Sequence, residues 1–339
     1  MNIICIGSSS KDIFFPTGKG EIVDTPEELT SSKKFCFELG AKYQVEDRFE
    51  SIGGCAANVA AGLSRLGIKA GCYTKIGDDY TGKWIQDELE KEDVNRAFVE
   101  ALENCASDLS AIIVDKKSGE HTIFFNRDAN EKLEINPDNL KSTEWIFVSA
   151  LNSGEFIKWE DNLEKILIAC SESKIKLALN PGQSNIKENP SKIIEAIKKA
   201  DILMVNKDEA IEILSGSGRD YLKDDLNDEK FLLASFKNFG PEIVTLTDGA
   251  RGAWAYDGKE IIYTKTIGEN PIETTGAGDA FSSGFLGAYL KGKSMEECLK
   301  WGIVNSGSSL NFYGATEGLL REERMLERIK EIKVEKIKK

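Results

Sequence analysis

The sequence predicts an α/β protein whose sheet is mainly parallel and is covered by helices on both faces. Two observations carry this. From residue 144 onward, strand-like apolar runs alternate with helix-like runs: 145–150, 161–172, 175–180, 190–199, 201–205, 207–214, 229–237 and 242–247. Strands linked through helical crossovers run in the same direction, which gives a parallel sheet. Near the start, residues 2–7 are apolar and end at Gly7, as a buried strand feeding a loop does. A third observation adds a part. Segments 13–50 and 106–130 break the rhythm with short antiparallel-looking strands, and together they predict a small sheet beside the core that acts as a lid.

The elements follow in order. Residues 35–39 and 43–46 read as short strands around a Gly40 turn. Gly53-Gly54 opens a helix from Ala56 to Leu66, and Lys69 to Ile76 is the next strand. Residues 81–92 are helical, and 109–115 with 120–126 form a hairpin around Lys117-Ser118-Gly119. After the βαβ region, 252–256 and 260–264 form a second hairpin, and helices at 279–291, 295–311 and 321–332 close the domain. One domain over 1–325 results, with 326–339 as a charged helix end or tail.

Composition removes whole classes of function. The net charge of −13 is that of an acidic, soluble protein and argues against nucleic acid or an anionic membrane as partner. No apolar run reaches the ~20 residues that span a bilayer. Seven cysteines (5, 36, 55, 72, 105, 170 and 298) contain no Cys-x-x-Cys pair. With the opening run read as a strand and not as a targeting segment, they read as free thiols in the cytoplasm. A single histidine, His121, leaves no His-rich metal site and no His-based triad, and it is assigned no role. Gly77-Asp78-Asp79-Tyr80-Thr81-Gly82-Lys83-Trp84 nearly spells a phosphate-binding P-loop. Trp84, however, stands where the Mg²⁺-holding Ser or Thr belongs. There is no Gly-x-Gly-x-x-Gly fingerprint for a nicotinamide cofactor.

Chemistry therefore falls to carboxylates, glycines and backbone amides. In Glu273-Thr274-Thr275-Gly276-Ala277-Gly278-Asp279, small residues fill a turn and a helix follows. Exposed amides at a helix start form an anion hole, and glycines let a phosphate approach. Asp279 stands beside that hole as a candidate general base, although a helix cap would place an Asp there too.

This stretch resembles the Asp-Thr-x-Gly-Ala-Gly-Asp signature of the ribokinase-like, or PfkB, family of carbohydrate and nucleoside kinases. Ser51 to Gly67 resembles the family's N-terminal Gly-Gly-x-x-x-Asn pattern through Gly53, Gly54 and Asn58. The likeness runs over about residues 2–320. It implies a three-layer α/β/α sandwich with a small β-sheet lid, and transfer of the γ-phosphoryl group of ATP to a hydroxyl of a sugar or sugar derivative. Asp279 would be the base, and the amides of Gly276, Ala277 and Gly278 the anion hole. Asp12, Gly53, Gly54, Asn58, Arg127 and Asn180 would contact the acceptor. Asn206, Thr247, Gly249, Gly252 and Asn305 would contact the nucleotide, and Glu209 would hold Mg²⁺, directly or through water. In some members the loop at Glu273 helps hold a monovalent cation. Here Glu replaces the usual Asp, so K⁺ is a cofactor whose place the departure puts in question.

Plain alternatives accompany these roles. Asn206 and Glu209 also spell a helix capping box, and Arg127 could pair with Asp128 on the surface. A nucleoside acceptor would need an aromatic shelf, which Phe14, Phe15, Phe35 and Phe37 could supply. A non-catalytic sugar or nucleotide sensor is the rival from another class. The exposed strand edges of the lid predict a homodimer through it.

Overall fold

The computed structural model describes residues 1–24, 33–267 and 271–337. The chain opens with β1 (Ile3–Ile6), β2 (Ser10–Thr17), β3 (Glu21–Asp24), β4 (Lys33–Cys36) and β5 (Phe49–Gly53). Helix α1 (Cys55–Arg65), β6 (Ala70–Gly77), α2 (Tyr80–Lys91), β7 (Asn95–Leu102), β8 (Leu109–Asp115) and β9 (His121–Asn126) follow. Next come β10 (Trp145–Val148), α3 (Trp159–Ser173), β11 (Lys176–Leu179), α4 (Gln183–Glu188), α5 (Pro190–Ile197), β12 (Ile202–Asn206), α6 (Lys207–Ser215), α7 (Lys223–Leu226) and α8 (Glu229–Lys237). The chain closes with β13 (Ile243–Thr247), β14 (Ala253–Tyr256), β15 (Ile261–Thr264), α9 (Ala277–Leu290), α10 (Met295–Ser309), α11 (Glu322–Arg328) and β16 (Glu335–Ile337).

One sheet has the order β16-β15-β14-β13-β12-β11-β10-β1-β6-β7, parallel from β13 through β7 and antiparallel from β14 to β16. Strand β1 shows why there are three layers. Its residues are all fully buried, and successive side chains point to opposite faces. Ile3 and Cys5 join the core beneath α1, α9 and α10, with Phe285 and Trp301. Ile4 and Ile6 join the opposite core, with Leu163, Ile197 and Leu214 of α3, α5 and α6. This is the expected ribokinase-like sandwich. Small residues let its first layer close tightly: a Cβ at Gly62 of α1 would lie 2.3 Å from Ser283 Oγ of α9.

The second sheet is the lid, in the order β5-β2-β8-β9, and it joins the two segments that were expected to form it. Its strand limits differ from expectation. The long strand β2 was not anticipated, because Lys11, Asp12 and Pro16 disguise its alternation. Residues 43–46 form no strand. The C-terminal stretch, expected as a helix end, instead forms β16, which pairs with β15 through Ile261 and Ile337.

Candidate active site

Strands β1, β10, β11, β12 and β13 run parallel and end on one side of the sheet, and Asn206 and Thr247, the last residues of β12 and β13, line the site there. Helix α9 starts at Gly276 in the left-handed region, φ 76°. A Cβ there would lie 2.3 Å from Ala315 Cβ, so both the turn and the packing demand glycine. The first amides of a helix have no acceptor within it, and here they face a cleft of about 210 Å³ lined by Gly276, Gly278 and Asp279.

Asp279 is buried and its Oδ2 accepts from Asn58 Nδ2 at 2.8 Å. Burial pushes its carboxyl up to about 6, while donation from Asn58 and the Cys55 thiol holds it down. Asn58 thus orients Asp279, and its own Oδ1 is buried without a partner among the described residues. Cys55, one helical turn before Asn58, lines the same cleft. Its thiol is pushed far up by burial, so it is an S–H donor to Asp279 and not a thiolate.

Glu209 lines this cleft from the start of α6, where it makes the expected capping box with Asn206. Burial pushes its carboxyl up to about 7, and nearby acidic groups, Asp279 among them, push the same way. Asn180 also lines the cleft, held by a bond from its Nδ2 to Met204 O at 2.9 Å. It therefore belongs with Glu209 and not with the lid residues.

Asp12 hangs from the lid. Its Oδ1 accepts from Ser10 Oγ at 2.8 Å, and burial raises its pKa. A Cβ on Gly53 would lie 2.0 Å from its Oδ2, so Gly53 makes room for this carboxylate. Gly54, φ 89°, lies against Ser8 O in the same way. Across the lid, Asp12 pairs with Ser110 of β8, and Ser110 with Phe125 of β9, which places all three on one face. Arg127 reaches Ser110 Oγ at 3.2 Å and stacks on the Phe125 ring at 4.6 Å. It does not take Asp128, which pairs with Lys132 at 2.7 Å.

A second cleft of about 350 Å³ adjoins the first, and both contain Gly278. Asn206, Thr247, Gly249 and Gly252 line it, together with the apolar Phe281 and Ile303. Gly249, φ 44°, has open space at its Cβ position, as a nucleotide loop requires. Asn305 does not reach it. That side chain is fully buried, donates to Ala280 O and Ser283 Oγ, and accepts from Leu320 N. Ser306, one residue on, lines the cleft instead.

Sequence reasoning missed Cys55, Phe125 and the pairing of His121 with Glu273. Strand alternation from Asp12 and Ser110 could have found Phe125, and helical spacing from Asn58 could have found Cys55. The aromatic shelf is not where it was expected. Phe14 is buried against Tyr313, and Phe35 packs against Phe37 with the rings tilted. Among the described residues no group of three or more His, Cys, Asp or Glu is arranged to hold a metal ion. A single half-buried carboxylate such as Glu209 suits Mg²⁺, which keeps most of its waters. K⁺ would find one buried, unpartnered oxygen at Glu273 Oε2, since Oε1 is taken by His121 and by the Thr275 amide.

A parallel sandwich with a β lid and a glycine-opened helix at the mouth of two joined clefts is the architecture of a small-molecule kinase. The chain belongs to the pfkB family of carbohydrate kinases, which it matches over residues 30–319. It is 29% identical over 263 residues to an uncharacterized sugar kinase of Archaeoglobus fulgidus, covering 77% of this chain and 98% of that one. It is 24% identical to a nucleoside kinase of Methanocaldococcus jannaschii, covering 98% of each. The nucleoside kinase of Burkholderia thailandensis, solved with inosine, shares the fold with a TM-score of 0.77 at 18% identity, over 97% of each chain. Among the described residues no helix is long and apolar enough to cross a membrane.

Proposed function

We propose that the chain transfers the γ-phosphoryl group of ATP to a hydroxyl of a sugar or sugar derivative, with Asp279 as general base. The observation that carries this is the buried Asp279 carboxylate at the first turn of α9, oriented by Asn58 and flanked by the Gly276–Gly278 amides. Asp12, beside Gly53, would bind acceptor hydroxyls. The acceptor oxygen attacks the γ-phosphorus, its proton passes to Asp279, and ADP leaves with the bridging oxygen. The amides at the start of α9 stabilise charge on the transferring group. Mg²⁺, when bound, neutralises phosphate charge, and Glu209 would hold it or its waters.

Phe125 supports a second reading, a nucleoside acceptor. It is 66% exposed, lies on the same lid face as Asp12, and has one face backed by Arg127. Hydroxyls on Asp12 would leave a base to stack there. ADP release should be measured with ATP-Mg²⁺ against sugars, sugar acids and nucleosides. For a nucleoside kinase, Phe125→Ala should raise KM for nucleosides about tenfold, the scale of one lost stacking contact. An unchanged KM removes the nucleoside reading. If no acceptor is turned over but thermal-shift binding persists, the chain is a sensor.

The reading includes a cytoplasmic location, supported by free thiols throughout. It also includes a homodimer through the lid, supported by the outer edge of β9 and by Phe124, 63% exposed. A monomeric mass by light scattering at micromolar concentration would remove the dimer.

A further inference from the structure

We propose that His121, the only histidine, is a positioning residue that ties the tip of the lid to the loop preceding α9. The proposal rests on the phosphotransfer reading of that loop. His121 lies on β9 opposite Val114, and Val114 lies opposite Pro16, so it continues the lid's inner face. That face is polar near Asp12 and apolar further out, where Phe14, Ile112 and Val114 pack with Tyr313. His121 comes after this apolar patch, at the opposite end of the sheet from Asp12. There its Nδ1 meets Glu273 Oε1 at 3.1 Å.

Glu273 is 1% exposed, and the same Oε1 accepts from the Thr275 amide at 2.6 Å. One carboxylate oxygen therefore joins a lid strand to the backbone that leads into Gly276. Thr275 Oγ1 lies 3.4 Å from both ring nitrogens, so its hydroxyl also sits against the imidazole. Glu273 Oε2 has no partner among the described residues. The buried carboxylate thus depends on few donors, and His121 is the one that the lid supplies. A second contact runs alongside. The hairpin turn at Gly119, φ 73°, lies on the same loop, since a Cβ there would be 2.6 Å from Pro271 O.

The lid is consequently held at two ends. At its base, buried Asp108 accepts from the amides of Ala129 and Asn130 and from Asn130 Nδ2. At its tip, His121 holds Glu273. The lid as it stands in this structure holds His121 on Glu273, which sets Thr275 and aims the amides at the start of α9. An open lid leaves those amides unset, so the site is complete only when the lid covers it.

The test uses the full chain with His121→Ala and His121→Gln, the second keeping an N–H donor. Steady-state kinetics are read with ATP-Mg²⁺ and the best acceptor of the panel, and hydrogen exchange of residues 272–279 is read without ligands. In His121→Ala, kcat should fall about tenfold with KM for ATP within about twofold, as for a loop left unaligned, and His121→Gln should restore most of it. Amides of 274–278 should exchange faster in the Ala variant, together with those of 119–123. Unchanged kcat, or faster exchange confined to the hairpin, overturns the proposal. If the wild type turns over no acceptor, the phosphotransfer reading fails by itself, and the exchange result still decides whether His121 sets the loop.

Discussion

Replacing Asp279 by Asn should slow turnover severely and raise stability, and the gain in stability should disappear in acid. The proposed base is only 9% exposed, and burial lifts its carboxyl from the ordinary 3.8 to about 6. A rise of about two pH units means that the native state disfavours the anion by about 3 kcal/mol, at roughly 1.36 kcal/mol per pH unit. Asparagine has the same shape and no charge. Its carbonyl oxygen can still accept from Asn58 Nδ2, so the fold around it is kept. The native pKa lies above the unfolded one, so the destabilisation is absent below about pH 3.8 and complete above about pH 6.

Urea unfolding of both proteins in EDTA, at pH 8 and at pH 4.5, checks this. At pH 8 the variant should be more stable by about 2–3 kcal/mol, and at pH 4.5 by a fraction of that. At pH 8 its kcat should fall about a thousandfold, the scale of a lost general base. Equal stability at pH 8, or the same gain at both pH values, would refute burial as the cause of the raised pKa. A kcat within tenfold of wild type would refute Asp279 as the base.

Two further outcomes follow from the same geometry. Glu209→Gln should raise the Mg²⁺ concentration needed for half-maximal rate about tenfold, as expected for loss of an orienting carboxylate. The wild type's apparent Mg²⁺ affinity should increase between pH 6 and pH 8, as a carboxyl held up at about 7 loses its proton, and the variant should lack that increase. Gly276→Ala places a Cβ 2.3 Å from Ala315 Cβ at a φ of 76°. It should lower kcat at least about a hundredfold, the scale of a lost anion-hole donor, in steady-state assays. A wild-type kcat would mean that these amides do not carry the transferring charge.

What could be read from the sequence was whatever local sterics dictate. Gly276 and the Gly53-Gly54 pair are legible because a positive φ or a close approach admits only glycine, wherever the rest of the chain lies. The parallel core was legible because strands buried on both faces are continuous apolar runs. Pairings across long separations were not legible. Asn58 meets Asp279 at a separation of 221 residues, and His121 meets Thr275 at 154. Nothing local marks either pair. Asn305 was placed by the family resemblance, which marks a position on the helix and not where the side chain makes its hydrogen bonds. In the structure it spends its amide on Ala280 O, Ser283 Oγ and Leu320 N. Arg127 was placed near substrate by the family resemblance, and only the register of β8 and β9 shows that it backs Phe125 in the row that contains Asp12.

The remaining tension is electrostatic. A chain of net charge −13 is read as receiving ATP, and its site holds three buried or half-buried carboxylates, Asp12, Glu209 and Asp279. Each of them has a raised pKa, and in each the largest cause is burial. The Glu209 carboxyl, held up at about 7, is partly neutral near pH 7, which eases the approach of a polyphosphate. They also match the proposed tasks. A base at about 6 is ionised at pH 7 yet stronger than an ordinary carboxylate, and an acid at about 7 can exchange its proton for a divalent cation. Asn58 and Cys55 keep Asp279 from rising further, so the two donors and the burial work against each other on one oxygen pair. In the proposed reading the phosphate meets the uncharged amides at the start of α9, and no lysine or arginine is among the described residues that line either cleft. Overall acidity and phosphate binding are then compatible, because backbone dipoles act within a few ångströms while the net charge is screened beyond about 10 Å.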